Sequence, residues 1–117
     1  MKETEIFERA IKWAEKHGVS AIKANTENYE RPSGFRNSKS EESIIPDITG
    51  SKRGSICYVE IADKSEDSSN TASKWKLLGN IASMKNGRLF ILAPRGSKSF
   101  ADNLVKDNNI SAEVVSL

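Results

Sequence analysis

Two acidic residues of this chain stand in apolar company. Asp47 lies in the run Ile44-Ile45-Pro46-Asp47-Ile48, and Glu60 lies in the run Ile56-Cys57-Tyr58-Val59-Glu60-Ile61-Ala62. Both runs have the composition of short buried strands. The stretch between them, Thr49-Gly50-Ser51-Lys52-Arg53-Gly54-Ser55, has the Gly and Ser content of a hairpin connection, so the strands are expected to be antiparallel neighbours. Pairing Gly50 with Cys57 in a symmetric hairpin sets Asp47 directly opposite Glu60. Opposed side chains sit roughly 5 Å apart at Cβ, where two like charges destabilise the pair unless something offsets them. A divalent cation is the simplest offset, and carboxylates on rigid strands with room for water suit Mg²⁺ or Mn²⁺. The register is decisive, because a slip of one residue would send the two carboxylates to opposite faces.

These positions require a frame, which hydrophobic periodicity supplies. Ile6, Phe7, Ala10, Ile11 and Ala14 recur at helical spacing, with Lys16 and His17 in the last turn and Gly18 as a stop, so residues 4–17 are expected to form an amphipathic helix. His17 reads as a helix-terminal residue favoured by the dipole rather than as a catalytic base. A strand is expected over Val19 to Ala24. The polar residues 26–43 then read as a long loop, functional or mobile. After the hairpin and the polar connection 63–69, Ala72, Trp75, Leu78 and Ala82 mark one stripe of a second helix that stops at Asn86-Gly87. Arg88-Leu89-Phe90-Ile91-Leu92-Ala93 is a continuous apolar run, as in a central strand covered on both faces and reached by a helical crossover. A third helix through Phe100, Leu104 and Val105 and a last strand over Ala112 to Leu117 complete an α-β-β-β-α-β-α-β order.

Composition limits what this frame can be. At 117 residues, the chain suits one domain over 1–117 with a modest core. With 37% hydrophobic and 29% charged residues it reads as a soluble globular protein. No apolar run approaches the roughly 20 residues that span a bilayer, and Met1-Lys2-Glu3-Thr4-Glu5 is not the start of a signal peptide, so no membrane and a cytoplasmic location are expected. The single Cys57, inside an apolar strand, reads as core. A net charge of +2 neither requires nor excludes a nucleic-acid partner, so any basic footprint must come from local clustering. Arg31 and Arg36 in the long loop and Lys52 and Arg53 at the hairpin tip form such clusters, as a nucleic-acid-contacting rim or as ordinary solvated surface.

The order of elements and the acidic pair resemble the PD-(D/E)XK nuclease superfamily, the restriction-endonuclease-like fold. Pro46-Asp47 is similar to the first half of its signature, and Glu60 after Tyr58-Val59 to the acidic position on the next strand. The resemblance implies a central mixed sheet flanked by helices, Mg²⁺ or Mn²⁺ held by Asp47, Glu60 and the Ile61 carbonyl, and hydrolysis of phosphodiester bonds, with DNA favoured over RNA. A homodimer is in keeping with it. The family signature continues to a Lys two residues after the Glu, and here that position is Ala62. Lys64 is the nearest substitute, since residues 60, 62 and 64 of an extended strand share a face. Lys74 and Lys76 on the second helix are the other candidates, and Glu8 on the first helix resembles an additional acidic residue near the metal, with Glu5 and Glu15 as alternatives. The replaced Lys also leaves open a noncatalytic nucleic-acid-binding or subunit domain on the same fold. Blander readings stand beside these: Asp47 after Pro46 suits a turn, Glu60 a solvated or paired strand residue, and Glu8 and Lys76 a solvated helix face.

Overall fold

The computed structural model describes residues 4–36 and 43–117. Among them, three helices, α1 (Thr4–Lys16), α2 (Ser68–Met84) and α3 (Lys98–Asp107), flank a five-stranded mixed sheet. The sheet is built from β1 (Ser20–Ala24), β4 (Ile48–Lys52), β5 (Ser55–Ile61), β6 (Arg88–Ala93) and β7 (Glu113–Ser116), in that spatial order. β2 (Phe35–Arg36) and β3 (Ser43–Ile44) form a separate small antiparallel ribbon. β1, β4 and β5 are antiparallel in succession, whereas β5, β6 and β7 run parallel through the α2 and α3 crossovers. No helix among the described residues is long and apolar enough to cross a membrane.

The alternation of side chains on β5 and β6 divides the core. Cys57, Val59, Ile61, Phe90 and Leu92 pack with Phe7, Ala10, Ile11 and Ala14 of α1. Tyr58, Ala62, Leu89, Ile91 and Ala93 pack with Trp75, Leu78 and Ala82 of α2 and Ala101 of α3. A strand buried on both faces cannot alternate polar and apolar residues, and this is why β6 reads as an unbroken apolar run.

Helix boundaries follow local chemistry. Gly18 at φ +84° follows α1, and the Val19 amide donates back to Ala14 O at 3.0 Å. His17 lies just beyond the helix, its Nδ1 2.7 Å from Trp13 O. Asp67 caps α2 by accepting from the Asn70 amide at 3.0 Å, and Asn86 at φ +56° ends it, with the Gly87 amide donating to Ala82 O.

The first hairpin strand differs from expectation. The run Ile44–Ile48 is not one strand: Ile44 belongs to the β2–β3 ribbon, and the sheet strand is Ile48–Lys52. Pro46 has no amide to give a ladder, so it interrupts the run. The connection expected over Thr49–Ser55 shrinks to Arg53-Gly54, both at positive φ as a tight two-residue hairpin turn requires. Gly50 is therefore a strand residue, and an added Cβ would lie 2.3 Å from Val19 Cγ1 and 2.9 Å from Ser20 O, so β1 can cross β4 closely only at a glycine. The expected register nevertheless holds, with Gly50 paired to Cys57 and Ile48 to Val59. The long polar stretch also holds β2 and the first residue of β3; its residues 37–42 lie outside the described residues.

Candidate active site

The ladder between β4 and β5 ends at Ile48 and Val59, and the two acidic residues take over its next rungs. The Asp47 amide donates to Glu60 Oε2 at 2.6 Å, and the Ile61 amide donates to Asp47 Oδ2 at 2.9 Å. Each carboxylate thus accepts a backbone amide across the hairpin, Glu60 from Asp47 in the bend just before β4 and Asp47 from Ile61 at the end of β5, which fixes both side chains. Asp47 and Glu60 are 4% and 1% exposed, so neither is a solvated strand residue. Ionised carboxylates buried this deeply need hydrogen bonds and a counter-charge.

The counter-charge comes from α2. Glu60 lies between Tyr58 and Ala62 on β5 and so faces the helix that carries Trp75. Lys74, beside Trp75 and one turn before Leu78, places its Nζ 3.0 Å from Glu60 Oε1 and 3.6 Å from Asp47 Oδ1. One oxygen of each carboxylate is therefore engaged by a backbone amide, while the other faces the Lys74 ammonium. That is the arrangement expected of a position built for positive charge.

The remaining expected residues fall into four groups. Arg31 joins the site: it lines the same cleft of about 430 Å³ as Asp47 and Lys74, and donates to Asn25 Oδ1 at 2.9 Å. Lys64, Lys76 and Glu8 take no part in the ion triad. β5 ends at Ile61, and the chain bends at Asp63, whose carboxylate accepts from the Ser65 amide and hydroxyl, so Lys64 lies against the Gly96 turn instead of reaching back. Lys76 is two residues past Lys74, about 200° around the helix, and is exposed. Glu8 is exposed, and it is Thr4 and Phe7 of α1 that line the cleft. The third group is Lys52 and Arg53, which sit at the far end of β4, about 17 Å from Asp47 at the rise of roughly 3.4 Å per residue. Arg36 lies on β2, paired with Ser43.

Asn25, Thr26, Asp63 and Glu66 also line the cleft and were not singled out from the sequence. Their polar side chains fall on connections, where sequence pattern says least. Lys74 had a signal: it directly precedes Trp75, the one aromatic of the buried face of α2, on the helix that follows the acidic strand.

The donor set fits a hard divalent cation. Among the described residues no three His, Cys, Asp or Glu side chains are grouped as in an all-side-chain metal site. Mg²⁺ does not need such a group, since it keeps several waters and takes one or two carboxylates. The Ile61 amide turns toward Asp47, whereas the next amide, of Ala62, donates to Leu92 O on β6. Strand geometry puts the Ile61 carbonyl on the same flank of β5 as its amide, the flank that faces Asp47. Compared with family models, curated proteins and solved structures, the chain matches none.

Proposed function

We propose that this chain is a metal-dependent nuclease that hydrolyses phosphodiester bonds, with DNA favoured over RNA. The observation that carries the reading is the convergence of two buried carboxylates, one in the bend before β4 and one on β5, each held by a backbone amide of the other side, on a position served by a helix lysine. The mixed sheet flanked by helices, in the α-β-β-β-α-β-α-β order, agrees with the architecture that the PD-(D/E)XK resemblance implies.

Asp47, Glu60 and the Ile61 carbonyl would hold Mg²⁺ or Mn²⁺. When bound, the metal polarises a phosphate oxygen and lowers the pKa of a coordinated water. Asp47 Oδ2 and Glu60 Oε2, fixed by backbone amides, hold the other oxygen of each carboxylate in place without reorganisation. Lys74 substitutes for the lysine missing at Ala62: it neutralises the pair before metal arrives and stabilises negative charge as it develops on the phosphate. Arg31, which lines the same cleft, would grip a substrate phosphate.

One observation favours the noncatalytic alternative, a nucleic-acid-binding or subunit domain. Lys74 already compensates the two carboxylates, so the fold does not require a metal. Cleavage assays with Mn²⁺ on single-stranded, double-stranded and branched DNA and on RNA separate the two. Cleavage that Asp47→Ala removes, and that Lys74→Ala cuts by about 10²-fold, is expected for the nuclease. Absence of any cleavage dependent on Asp47 gives the noncatalytic reading, and a loss in Lys64→Ala without one in Lys74→Ala would move the basic role to the Asp63 bend.

A further inference from the structure

The opposite end of the sheet holds a second cavity, of about 590 Å³, on the α1 face. Lys52, Arg53 and Arg88 meet there against a wall formed by Trp13, His17 and Phe90. The register explains the meeting: Lys52 pairs with Ser55 and Cys57 pairs with Arg88, so Lys52 and Arg88 flank β5 on either side and share the face of Cys57. Both cations act on the buried Cys57 thiol, as convergence requires. Among the described residues, none of the three enters an ion pair, although Lys23, Lys74 and Lys98 each do. Glu113 is the one carboxylate lining the cavity.

Three cations gathered on rigid strand and turn positions repel one another, and such an arrangement favours a polyanionic group that two or three of them can grip at once. The aromatic wall adds a second requirement. Trp13 stacks on His17 with centroids 4.1 Å apart and meets the Phe90 ring edge-on at 5.3 Å, so a ring platform lies beside the cations. Arg–phosphate contacts next to aromatic faces are the combination that recognises an unstacked nucleotide. The volume lies within the range of small-molecule sites.

We propose that this cavity binds a nucleotide through its phosphate, with Lys52, Arg53 and Arg88 on the phosphate oxygens and the base against Trp13, His17 and Phe90. Glu113 at the rim accepts from a hydroxyl or amino group of the ligand. The source is a free mononucleotide or the phosphorylated end of a strand, since both present the same phosphate and base. All three helices finish at this end of the sheet, and their carbonyl ends oppose an anion, so binding depends on the three cations jointly. The site is separate from the carboxylates of Asp47 and Glu60 and does not rest on the nuclease reading.

The test is calorimetric titration of the parent chain at low salt with AMP, inorganic phosphate and a 5′-phosphorylated tetranucleotide. AMP is expected to bind with one-to-one stoichiometry, at least about tenfold more tightly than inorganic phosphate, and to quench Trp13, since Trp75 is sealed in the α2 core. Arg88→Gln, at an exposed position, is expected to weaken AMP about tenfold with an unchanged melting temperature, and Lys52→Gln serves as the second variant. Tighter binding of the tetranucleotide with the same loss in Arg88→Gln identifies the strand end as the source. Absence of binding at millimolar AMP, equal affinity for AMP and phosphate, or affinity unchanged in both variants overturns the proposal. Asp47→Asn is expected to leave AMP affinity unchanged; a loss there would place the nucleotide at the carboxylate end and overturn it as well.

Discussion

The two ends of one sheet are organised by different physics. At the end where β4 begins and β5 finishes, buried charge is locked by hydrogen bonds and an ion pair, as Asp47, Glu60 and Lys74 show. At the other end, backbone contact sets the geometry, and the charges stand unpaired on top of it. Gly87 lies so close to β5 that an added Cβ would meet Ile56 O at 2.2 Å. The helices accentuate the contrast. Each begins at the carboxylate end and finishes at the basic end, so their dipoles favour negative charge at the first and positive charge at the second. The lesson is that a buried charge must be compensated from within the fold, whereas an exposed cation cluster can wait for a ligand.

The contrast is tested most severely at Lys74. Lys74→Ala removes the Lys74 ammonium from two opposed buried carboxylates and is expected to destabilise the chain by about 3 kcal/mol in urea unfolding at neutral pH, with Mn²⁺ recovering most of the loss. Arg88→Gln at the other end is expected to change stability by less than about 0.5 kcal/mol. Equal losses in the two variants would erase the distinction. Lys74→Ala also separates two roles, because it should bind Mn²⁺ more tightly than the parent while losing cleavage.

A smaller effect is expected at the basic end from volume instead of charge. Gly87→Ala forces the α2–β6 turn away from β5 and should cost about 2 kcal/mol, the same at low and high salt. A loss that salt reverses would mean that electrostatics, not packing, sets this end.

Beneath the basic cavity a pH dependence is expected, confined to alkaline solution. Burial pushes the Cys57 thiol from its ordinary 9.0 up to about 11, against the opposing pull of Lys52 and Arg88. The folded state holds the thiol proton more tightly than the unfolded chain, so the contribution is complete below pH 9 and is lost as pH rises toward 11. Urea unfolding between pH 8 and 11 should show a shallower decline in Cys57→Ala than in the parent. Burial raises the neighbouring Tyr58 in the same direction, so part of the decline should remain. An identical decline in the two proteins would exclude the thiol as its source.

Much of the fold was legible because its signals are local. The apolar stripe Phe7, Ala10, Ile11 and Ala14, the stops at Gly18 and Asn86-Gly87, and the unbroken run Leu89–Ala93 each act over a turn or a strand. The Gly50–Cys57 register also followed from the chain itself, since a hairpin is the shortest long-range contact, and with it came the facing of Asp47 and Glu60. The extent of β4 did not. Thr49–Lys52 has a loop's composition, but lying between β1 and β5 supplies hydrogen bonds on both sides, and those outweigh its weak strand propensity.

The amino-acid sequence by itself supported the expectation that two acidic residues would oppose each other at an apolar hairpin. Only the tertiary structure decided which cation meets them and where the other basic residues go. Lys64, Lys74 and Lys76 are indistinguishable by residue type; the bend at Asp63 removes the first, and the angular phase of α2, set by burying Trp75, Leu78 and Ala82, selects the second and turns the third to solvent. Arg31 and Lys52 are equally plausible phosphate contacts by residue type, yet the length of β4 sends them to opposite ends of the sheet. Local patterning specifies elements and short-range register, but the direction a side chain faces across the core depends on how the elements pack, which no local stretch encodes.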